Sequence, residues 1–381
     1  MSLTRTSALP QVERLFGGQP LISPTGDGWE SGVTFNSSAV FLEATGENRQ
    51  LIQELLGPGE EVRDIVALHY RARPKHDPGF PFTRSYVGLS IHEPDLTPIR
   101  RFDTPVLSPD LGEGSDVHGS EDPRVTWLDG SWWMVYCGVQ PFVDPDPTKT
   151  WLASVCMAKS DNLVDWTKIG AVAGCSGRGP TPHGNKDGVL FPDRIEGKVV
   201  LLHRPLKGDI DTWETAIAVA DLTEGPYTDL GAVHGPARQD GYLKSWTGAG
   251  ATPIKIGEGR YVSIEHTGNY LPGKQRKYVL DAFLYDFNDW DPTRPETLVK
   301  ARLDDFMRPE TDFEVKGPFH DSVANVVFAC GAYVHDGWLY IVYGGGDSYI
   351  LAARVNFNDL VGELESREQQ EYRPEEYAPH A

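Results

Sequence analysis

The chain has 381 residues, and its 35 Lys and Arg against 55 Asp and Glu give a formal net charge of −20. This charge argues against nucleic acid or an anionic membrane surface as a partner, whereas a neutral ligand such as a sugar is compatible with it. The hydrophobic content of 39% is ordinary for a soluble core. The N-terminus lacks an apolar secretory segment, so a cytoplasmic location is expected.

The sequence gives no sign of a metal or cofactor site. Asp116 and His118 form a pair without a third ligand, and the Gly248-Ala249-Gly250 stretch lacks the third glycine of a dinucleotide loop. No cofactor is therefore expected. The four cysteines lack metal-ligand spacing and are predicted to be reduced core residues: Cys137, Cys156, Cys175 and Cys330.

The N-terminal part of the chain is irregular before its first strands. Residues 1–30 are rich in Gly and Pro and are predicted to lack regular structure. Residues 32–42 resemble a pair of strands interrupted by a polar step that contains Asn36 and Ser37. The amide and hydroxyl of this step are expected to bind backbone groups or a ligand.

The next segments continue the β pattern. Residues 46–62 are polar and predict a loop or at most a short helix. Residues 64–72 predict a strand, and Arg71 stands where its apolar alternation should continue. A charged side chain at such a position is a candidate for a polar cleft.

The strongest architectural signal is a repeated turn followed by a strand. In each case an acidic residue and a glycine precede a run of branched and aromatic residues, with intervals of roughly 60 to 80 residues, enough for a four-stranded sheet with loops. The four turns are Asp129-Gly130, Glu196-Gly197, Glu258-Gly259 and Asp336-Gly337. A fifth, earlier unit contains the strand at 64–72.

Five similar units predict an all-β, five-bladed β-propeller over residues 31–357, with a central pocket on its axis. A two-domain β-sandwich is the alternative, but it would not explain the even spacing. Residues 358–381 are acidic and are predicted to form a solvated tail or a short packing arm.

Charge is concentrated at Glu121-Asp122-Pro123-Arg124, just ahead of a strand. In a regular strand, alternation would direct Asp122 and Arg124 to one face and Glu121 to the other. Asp-Pro is also a common turn dipeptide, so a purely structural role is open.

Polar groups recur at corresponding places in the other units. His203-Arg204, Glu265-His266 and Asp347-Ser348 stand at strand ends, and Lys186-Asp187 precedes a strand as Glu121-Asp122 does. The ends of propeller strands meet around the axis, so these groups are expected to share one pocket.

These motifs, in this order, resemble glycoside hydrolase family 130, the β-mannoside phosphorylases and β-mannosidases, over roughly residues 30–357. The likeness rests on Ser120-Glu-Asp-Pro-Arg124, Lys186-Asp-Gly-Val-Leu-Phe-Pro192, Leu202-His-Arg-Pro205 and Gly331-Ala332 with Asp347-Ser348. It implies a five-bladed β-propeller that cleaves β-mannosidic bonds from the non-reducing end with inversion. It also implies that Asp122 is the general acid and that Asn36, Arg71, Arg124, Lys186 and Asp347 surround the sugar.

The two branches of that family differ in what lies opposite the acid. Phosphorolysis needs cations to hold phosphate, and Lys186, His203, Arg204 and His266 are candidates. Hydrolysis needs a carboxylate base, for which Glu265 and Glu214 are the candidates, and a carboxylate there would repel phosphate. On this ground hydrolysis, of the β-1,2-mannosidase kind, is the favoured expectation.

Two alternatives stay open beside it. One is a phosphate-dependent β-mannoside phosphorylase, with inorganic phosphate as the second substrate, and the other is a non-catalytic carbohydrate-binding propeller.

A cation near Asp122 is a difficulty for both catalytic functions, because it would lower the pKa of the acid. The candidate sugar-binding residues are Asn36, Ser37, Arg71, Glu121, Arg124, Lys186, Asp187, His203, Arg204, His266 and Asp347.

Overall fold

A computed structural model describes residues 10–80, 82–110, 114–141, 151–175, 183–237, 241–273, 275–319 and 322–369. The strands of this part of the chain form five antiparallel sheets. Each sheet is one blade, and the first strands of the blades lie around a common axis, where β2 (Val33–Leu42) contacts β6 (Gly119–Leu128) and β19 (Val327–His335). The predicted five-bladed β-propeller is confirmed.

The strands follow one another from the axis outwards in each blade. Blade 1 contains β2, β3 (Ile65–Arg73), β4 (Tyr86–His92) and β5 (Pro98–Arg101). Blade 2 contains β6, β7 (Ser131–Pro141), β8 (Trp151–Ser160) and β9 (Thr167–Ala171). Blade 3 contains β10 (Gly184–Leu190), β11 (Val199–Leu206), β12 (Thr215–Ala220) and β13 (Thr228–His234).

The last two blades depart from this simple order. In blade 4, β14 (Lys244–Gly248) and β15 (Ile254–Gly257) share the inner position and both pair with β16 (Arg260–Leu271), followed by β17 (Gln275–Asp286) and β18 (Val299–Met307). Blade 5 contains β19, β20 (Trp338–Gly345), β21 (Tyr349–Asn356) and, outermost, β1 (Glu13–Arg14).

Strand β1 closes the ring. Glu13 lies opposite Arg354 and Arg14 opposite Ala353 in an antiparallel pair, so a segment before blade 1 completes blade 5. The prediction of an irregular segment over residues 1–30 therefore missed a strand. Two residues carry too little periodicity to be recognised, and the pairing protects a sheet edge that would otherwise be exposed.

Helices are short and peripheral. Those in the described residues are α1 (Arg49–Leu56), α2 (Asp312–Val315) and α3 (Phe357–Glu368), with 3₁₀ turns at Leu15–Gly18, Ile210–Thr212 and Pro295–Leu298. The expected loop or short helix over residues 46–62 contains α1. In the acidic tail, Leu360 and Leu364 of α3 are buried against the apolar residues between blades 4 and 5. The rest of the predicted tail, residues 370–381, lies outside the described residues.

The four acidic-glycine turns occupy equivalent positions. Each joins the inner strand of its blade to the second strand, from blade 2 to blade 5. Asp129, Glu196 and Asp336 all have φ near +50°, and the glycine that follows each also has positive φ, as a tight turn of two left-handed residues requires. The strand after each turn is thus the second strand of its blade and not the axial one.

Candidate functional site

The inner strands of blades 1, 2 and 3 share a distortion. Asn36, Asp122 and Asp187 each lie in a β-bulge, where the pairing register shifts, and each has a left-handed backbone with φ of 50°, 52° and 54°. This conformation is costly for residues other than glycine, and bulges redirect side chains from the regular alternation. The three bulges direct polar side chains towards one region on the axis.

The bulge overturns the predicted alternation at the charged motif. Glu121 and Asp122 were expected on opposite faces, yet both carboxylates contact the guanidinium of Arg71. The extra residue in β6 breaks the two-residue period at this point.

Asp122 is 2% exposed and lies among donors. Its Oδ1 accepts hydrogen bonds from Asn36 Nδ2 (2.8 Å) and Arg71 Nη1 (3.0 Å), and its Oδ2 lies 3.7 Å from Lys186 Nζ. Burial alone would raise the pKa of Asp122, but the cations, Arg71 foremost, lower it to about 2. The carboxyl is therefore ionised in the free protein.

Glu121 balances the charge of the same cations. It forms ion pairs with Arg71 and with Lys186, whose Nζ lies 3.3 Å from Glu121 Oε2. Arg71 is held further by Ser85 Oγ at 2.9 Å. The sequence motif thus supplies two carboxylates to one arginine and one lysine.

The Arg124 guanidinium contacts mainly backbone carbonyl groups. It donates to the carbonyl oxygens of Asp122 (3.0 Å), Ala249 (2.9 Å) and Gly250 (2.8 Å), and its Nη2 lies 3.5 Å from Asp187. Arg124 therefore ties blade 2 to the inner segment of blade 4 and does not pair with the carboxylate of Asp122 or Glu121.

A second polar cluster lies around Asp187. Asp187 Oδ2 is 2.8 Å from Arg204 Nη1 and 3.4 Å from His266 Nε2, and those two nitrogens are 3.1 Å apart. A Cβ added to Gly248 would lie 2.2 Å from Asp187 Oδ2, so only glycine allows this approach. Despite burial, Arg204 and His266 hold the pKa of Asp187 well below its usual range. Burial lowers the pKa of His266.

Asp347 lies within electrostatic reach of Arg71, Asp122 and Lys186 in the first cluster. It follows β20 in a left-handed turn with φ of 47° and is half-buried. Burial, opposed by the charge of Arg71 and reinforced by that of Asp122, raises the pKa of Asp347 to about 6. This carboxyl changes charge close to neutral pH.

Aromatic side chains that the sequence analysis missed line the second cluster. The ring of Phe328 lies 4.1 Å from that of His266, and Tyr278 packs against both Phe328 (6.2 Å) and Trp246 (5.5 Å). Tyr278 lies opposite Gly268 in the β16–β17 ladder. The sequence could not place these aromatic side chains beside His266, because no local pattern distinguishes them from core residues and only the strand pairing brings them there.

Two predicted binding residues lie outside the clusters. Ser37 Oγ donates to the backbone oxygens of Ser38 (2.8 Å) and His69 (3.2 Å). His203 Nδ1 faces the side-chain amide of Asn185, and its Nε2 lies 3.5 Å from Asp229. Strand alternation explains the second case, because His203 and Arg204 point to opposite faces of β11.

The side chain of Glu265 likewise lies apart from that of His266, the residue that follows it. Its Oε2 accepts from Thr215 Oγ1 (3.1 Å) and lies 3.0 Å from His234 Nε2, while its Oε1 accepts from Ser263 Oγ (3.0 Å) and from the Tyr285 hydroxyl. Burial raises the pKa of Glu265, but these partners bring it below its ordinary value. The expectation that Glu265 stands beside the cation cluster and repels phosphate is corrected: it fills the space between blades 3 and 4.

Glu214, the other candidate base, is half-buried just before β12. Burial raises its pKa. Its neighbour Trp213 lies beneath the guanidinium of Arg204, at 5.9 Å. Glu214 is thus near the second cluster along the chain, but among the described residues it makes no ion pair or hydrogen bond with Arg204 or His266.

Two negative observations concern the described part of the chain. No group of three or more His, Cys, Asp or Glu there has the geometry to hold a metal ion. Nor does it contain a helix that is long and apolar enough to cross a membrane.

Comparison with known proteins supports the resemblance. Residues 94–365 match the family model of glycoside hydrolase family 130, described as beta-1,4-mannooligosaccharide phosphorylase. The chain belongs to glycoside hydrolase family 130. The matched part covers most of blades 2 to 5, including Asp122, Asp187, Arg204 and His266.

Individual relatives match a larger part of the chain. A 1,2-beta-oligomannan phosphorylase of Thermoanaerobacter sp. is 28% identical over 349 residues, 90% of this chain and 96% of that protein. A beta-1,2-mannobiose phosphorylase of Listeria innocua is 30% identical over 251 residues, 65% of this chain and 60% of that protein. A solved structure of a beta-1,2-mannobiose phosphorylase from Listeria innocua in complex with beta-1,2-mannobiose has a TM-score of 0.66, with 22% identity, and the match covers 93% of this chain and 99% of that one.

Proposed function

We propose that this protein is an inverting, phosphate-dependent β-mannoside phosphorylase that releases mannose 1-phosphate from the non-reducing end of a β-1,2-linked oligomannoside. The observation that carries the proposal is the meeting of Arg204 and His266 at Asp187, with Lys186 on the same strand. Buried donors of this kind suit a phosphate dianion. The related phosphorylases favour the same reaction.

The position of Glu265 removes the main argument for hydrolysis, which was a carboxylate base beside Arg204 and His266. Its two oxygens are occupied by Thr215, His234, Ser263 and Tyr285, so it has no free lone pair for a water molecule in the pocket. The carboxylate that contacts Arg204 and His266 is Asp187, whereas that of Glu265 is bound by donors of blades 3 and 4.

In the proposed reaction the sugar lies between the two clusters. Asp122 faces the glycosidic oxygen, and phosphate held by Arg204 and His266 attacks C1 from the other side, which inverts the anomeric configuration. The C1–O bond to the leaving sugar breaks as the C1–O bond to phosphate forms. Hydrogen phosphate loses one proton in the overall reaction, and the leaving oxygen gains one.

Asp122 needs help to carry that proton, because its cationic surroundings keep it ionised in the free enzyme. Entry of the phosphate dianion adds negative charge near Lys186 and Asp122, which raises the pKa of Asp122 in the ternary complex. Asp122 then takes up a proton from solvent and passes it to the leaving oxygen, either directly or through a sugar hydroxyl, while the proton of hydrogen phosphate is released to solvent. The acid is thereby activated only when both substrates are bound.

The test is product analysis with β-1,2-mannobiose in ¹⁸O-labelled water, with and without inorganic phosphate. Phosphorolysis predicts unlabelled α-mannose 1-phosphate and mannose in equal amounts, and negligible turnover without phosphate. Labelled mannose formed at a rate indifferent to phosphate would reject the proposal.

Hydrolysis is the second candidate function, and the surroundings of Glu214 favour it. It is a half-buried carboxyl whose pKa is raised by burial, beside the tryptophan that packs on Arg204. If it is a base, Glu214→Gln abolishes incorporation of ¹⁸O into mannose. If the protein is a phosphorylase, the same variant retains phosphate-dependent turnover.

A further inference from the structure

Glu265 is the most completely satisfied carboxylate near the proposed phosphate site. It is 0% exposed and has four side-chain partners from blades 3 and 4. A buried charge with this many donors holds them in fixed positions. We infer that Glu265 is a positioning residue that sets the phosphate affinity of Arg204 and His266 without touching phosphate; this inference rests on the proposed function.

The first link runs through two threonines to Arg204. Thr215 Oγ1 donates to Glu265, while the backbone N–H of Thr215 donates to Thr247 Oγ1 at 3.1 Å. The carbonyl oxygen of Thr247 in turn accepts from Arg204 Nη1 at 3.3 Å. Glu265 thus fixes the strand whose carbonyl orients the guanidinium.

The second link supports the other side of Arg204. The N–H of Thr247 donates to the carbonyl of Trp213 at 3.1 Å, and the Trp213 ring lies under Arg204. Thr215 follows Trp213 by two residues. The hydrogen bond from Thr215 to Glu265 therefore also anchors the segment that carries this ring.

The third link is the backbone of β16. His266 follows Glu265 directly and points to the opposite face, so the position of one side chain constrains the other. The ring of His266 is seated on Phe328 and reaches Arg204 and Asp187. Any shift of β16 that follows the loss of Glu265 moves His266 against Arg204.

The negative charge of Glu265 is required because its surroundings are donors. Ser263 and Tyr285 donate to one oxygen and Thr215 to the other. In Glu265→Gln the amide NH₂ replaces one oxygen and must face donors on either side. The mismatch displaces those groups while the volume of the side chain is unchanged.

The experiment compares Glu265→Gln with Glu314→Gln. Glu314 is a matched control, since it is also 0% exposed, accepts from the Tyr343 hydroxyl (2.7 Å) and pairs with Arg14, but has no contact with either polar cluster. Calorimetry gives the Kd of inorganic phosphate and of β-1,2-mannobiose for each protein, and thermal unfolding gives Tm. Misplacement by a fraction of an ångström raises the Kd of phosphate for Glu265→Gln by about tenfold or more.

Selectivity distinguishes positioning from general destabilisation. We expect Glu265→Gln to leave the Kd of mannobiose within about twofold, and its effect on phosphate to be non-additive with that of Arg204→Gln. Glu314→Gln lowers Tm without changing either Kd. If Glu265→Gln does not fold, Thr215→Val tests the same link and should weaken phosphate binding alone.

Equal weakening of both ligands, an unchanged Kd of phosphate, or additivity with Arg204→Gln would overturn the inference while leaving the proposed function intact. A wild-type protein that neither binds nor uses phosphate would overturn both.

Discussion

Two sets of acidic residues in this propeller share one backbone conformation but differ in their position in the blade and in their burial. Asp129, Glu196 and Asp336 are left-handed in turns between the first two strands of their blades, while Asp122 and Asp187 are left-handed in bulges within the inner strands. The turn residues are accessible, whereas the bulge residues are 2% and 1% exposed.

The pairing of the two sets with arginine shows what the difference means. Asp129 pairs with Arg194 at 2.7 Å near the surface, and Asp187 pairs with Arg204 at 2.8 Å in the interior. The distances are alike, but water screens the first pair and not the second. Strain at the turns serves chain reversal, and strain at the buried bulges aims charge into the pocket.

The largest effect on turnover is expected when one acidic residue of each set is replaced by its amide. Asp122→Asn removes the proposed proton donor and should lower turnover by roughly 10² to 10⁴ on β-1,2-mannobiose, and by less on aryl mannosides with good leaving groups. Asp129→Asn should keep wild-type turnover. Equal losses on both substrates would indicate a defect in binding or folding, and sugar binding without turnover in the wild type would indicate a lectin-like propeller.

The arginines of the two pairs give the next largest contrast. Arg204→Gln and His266→Gln should each raise the KM for phosphate by about 10- to 100-fold, because a charge-assisted hydrogen bond to the anion is lost. Arg194→Gln should leave this KM unchanged. Initial rates over a range of phosphate concentrations decide it, and an equal rise in all three variants would mean that the two pairs are equivalent.

Much of this contrast could be read from the sequence. The acidic-glycine repeat predicted the blades, and the charged motif around Asp122 pointed to one of the two polar clusters. The alternation of a regular strand could not reveal the bulges, so the predicted face of the Glu121 side chain was wrong. The same alternation, applied to β11 and β16, would have separated His203 from Arg204 and Glu265 from His266.

A buried carboxylate outside both sets sharpens the comparison. Asp281 is 1% exposed and accepts from Thr267 Oγ1 (2.5 Å) and the Asp305 N–H (2.7 Å). Burial and the nearby Asp304 raise the pKa of Asp281 to about 7, although Arg302 opposes them.

This raised pKa predicts a pH dependence of stability. The folded state binds the proton of Asp281 more tightly than the unfolded state does, so its stabilising contribution is lost as pH rises from about 4 to 7. Asp281→Asn should remove that loss and gain on the order of 1 to 3 kcal/mol relative to wild type at pH 8, with little gain at pH 4. Denaturant unfolding at both pH values measures this, and equal changes at both would exclude titration of Asp281 as the cause.

The smallest effect is expected at the turns. Glycine accepts positive φ without strain, so Glu196→Gly should change the free energy of unfolding by less than about 1 kcal/mol. Glu196→Val adds backbone strain and should lower this free energy. Activity should be unchanged in both. A large loss of activity would show that the turns influence the axial pocket.

The most direct test of the account is a crystal structure with β-1,2-mannobiose and a phosphate mimic such as sulfate. It should place the anion within hydrogen-bond distance of Arg204 and His266, across the sugar from Asp122, with Glu265 still bound to Thr215 and His234. A carboxylate-bound water opposite Asp122, with no anion at Arg204 and His266, would contradict it.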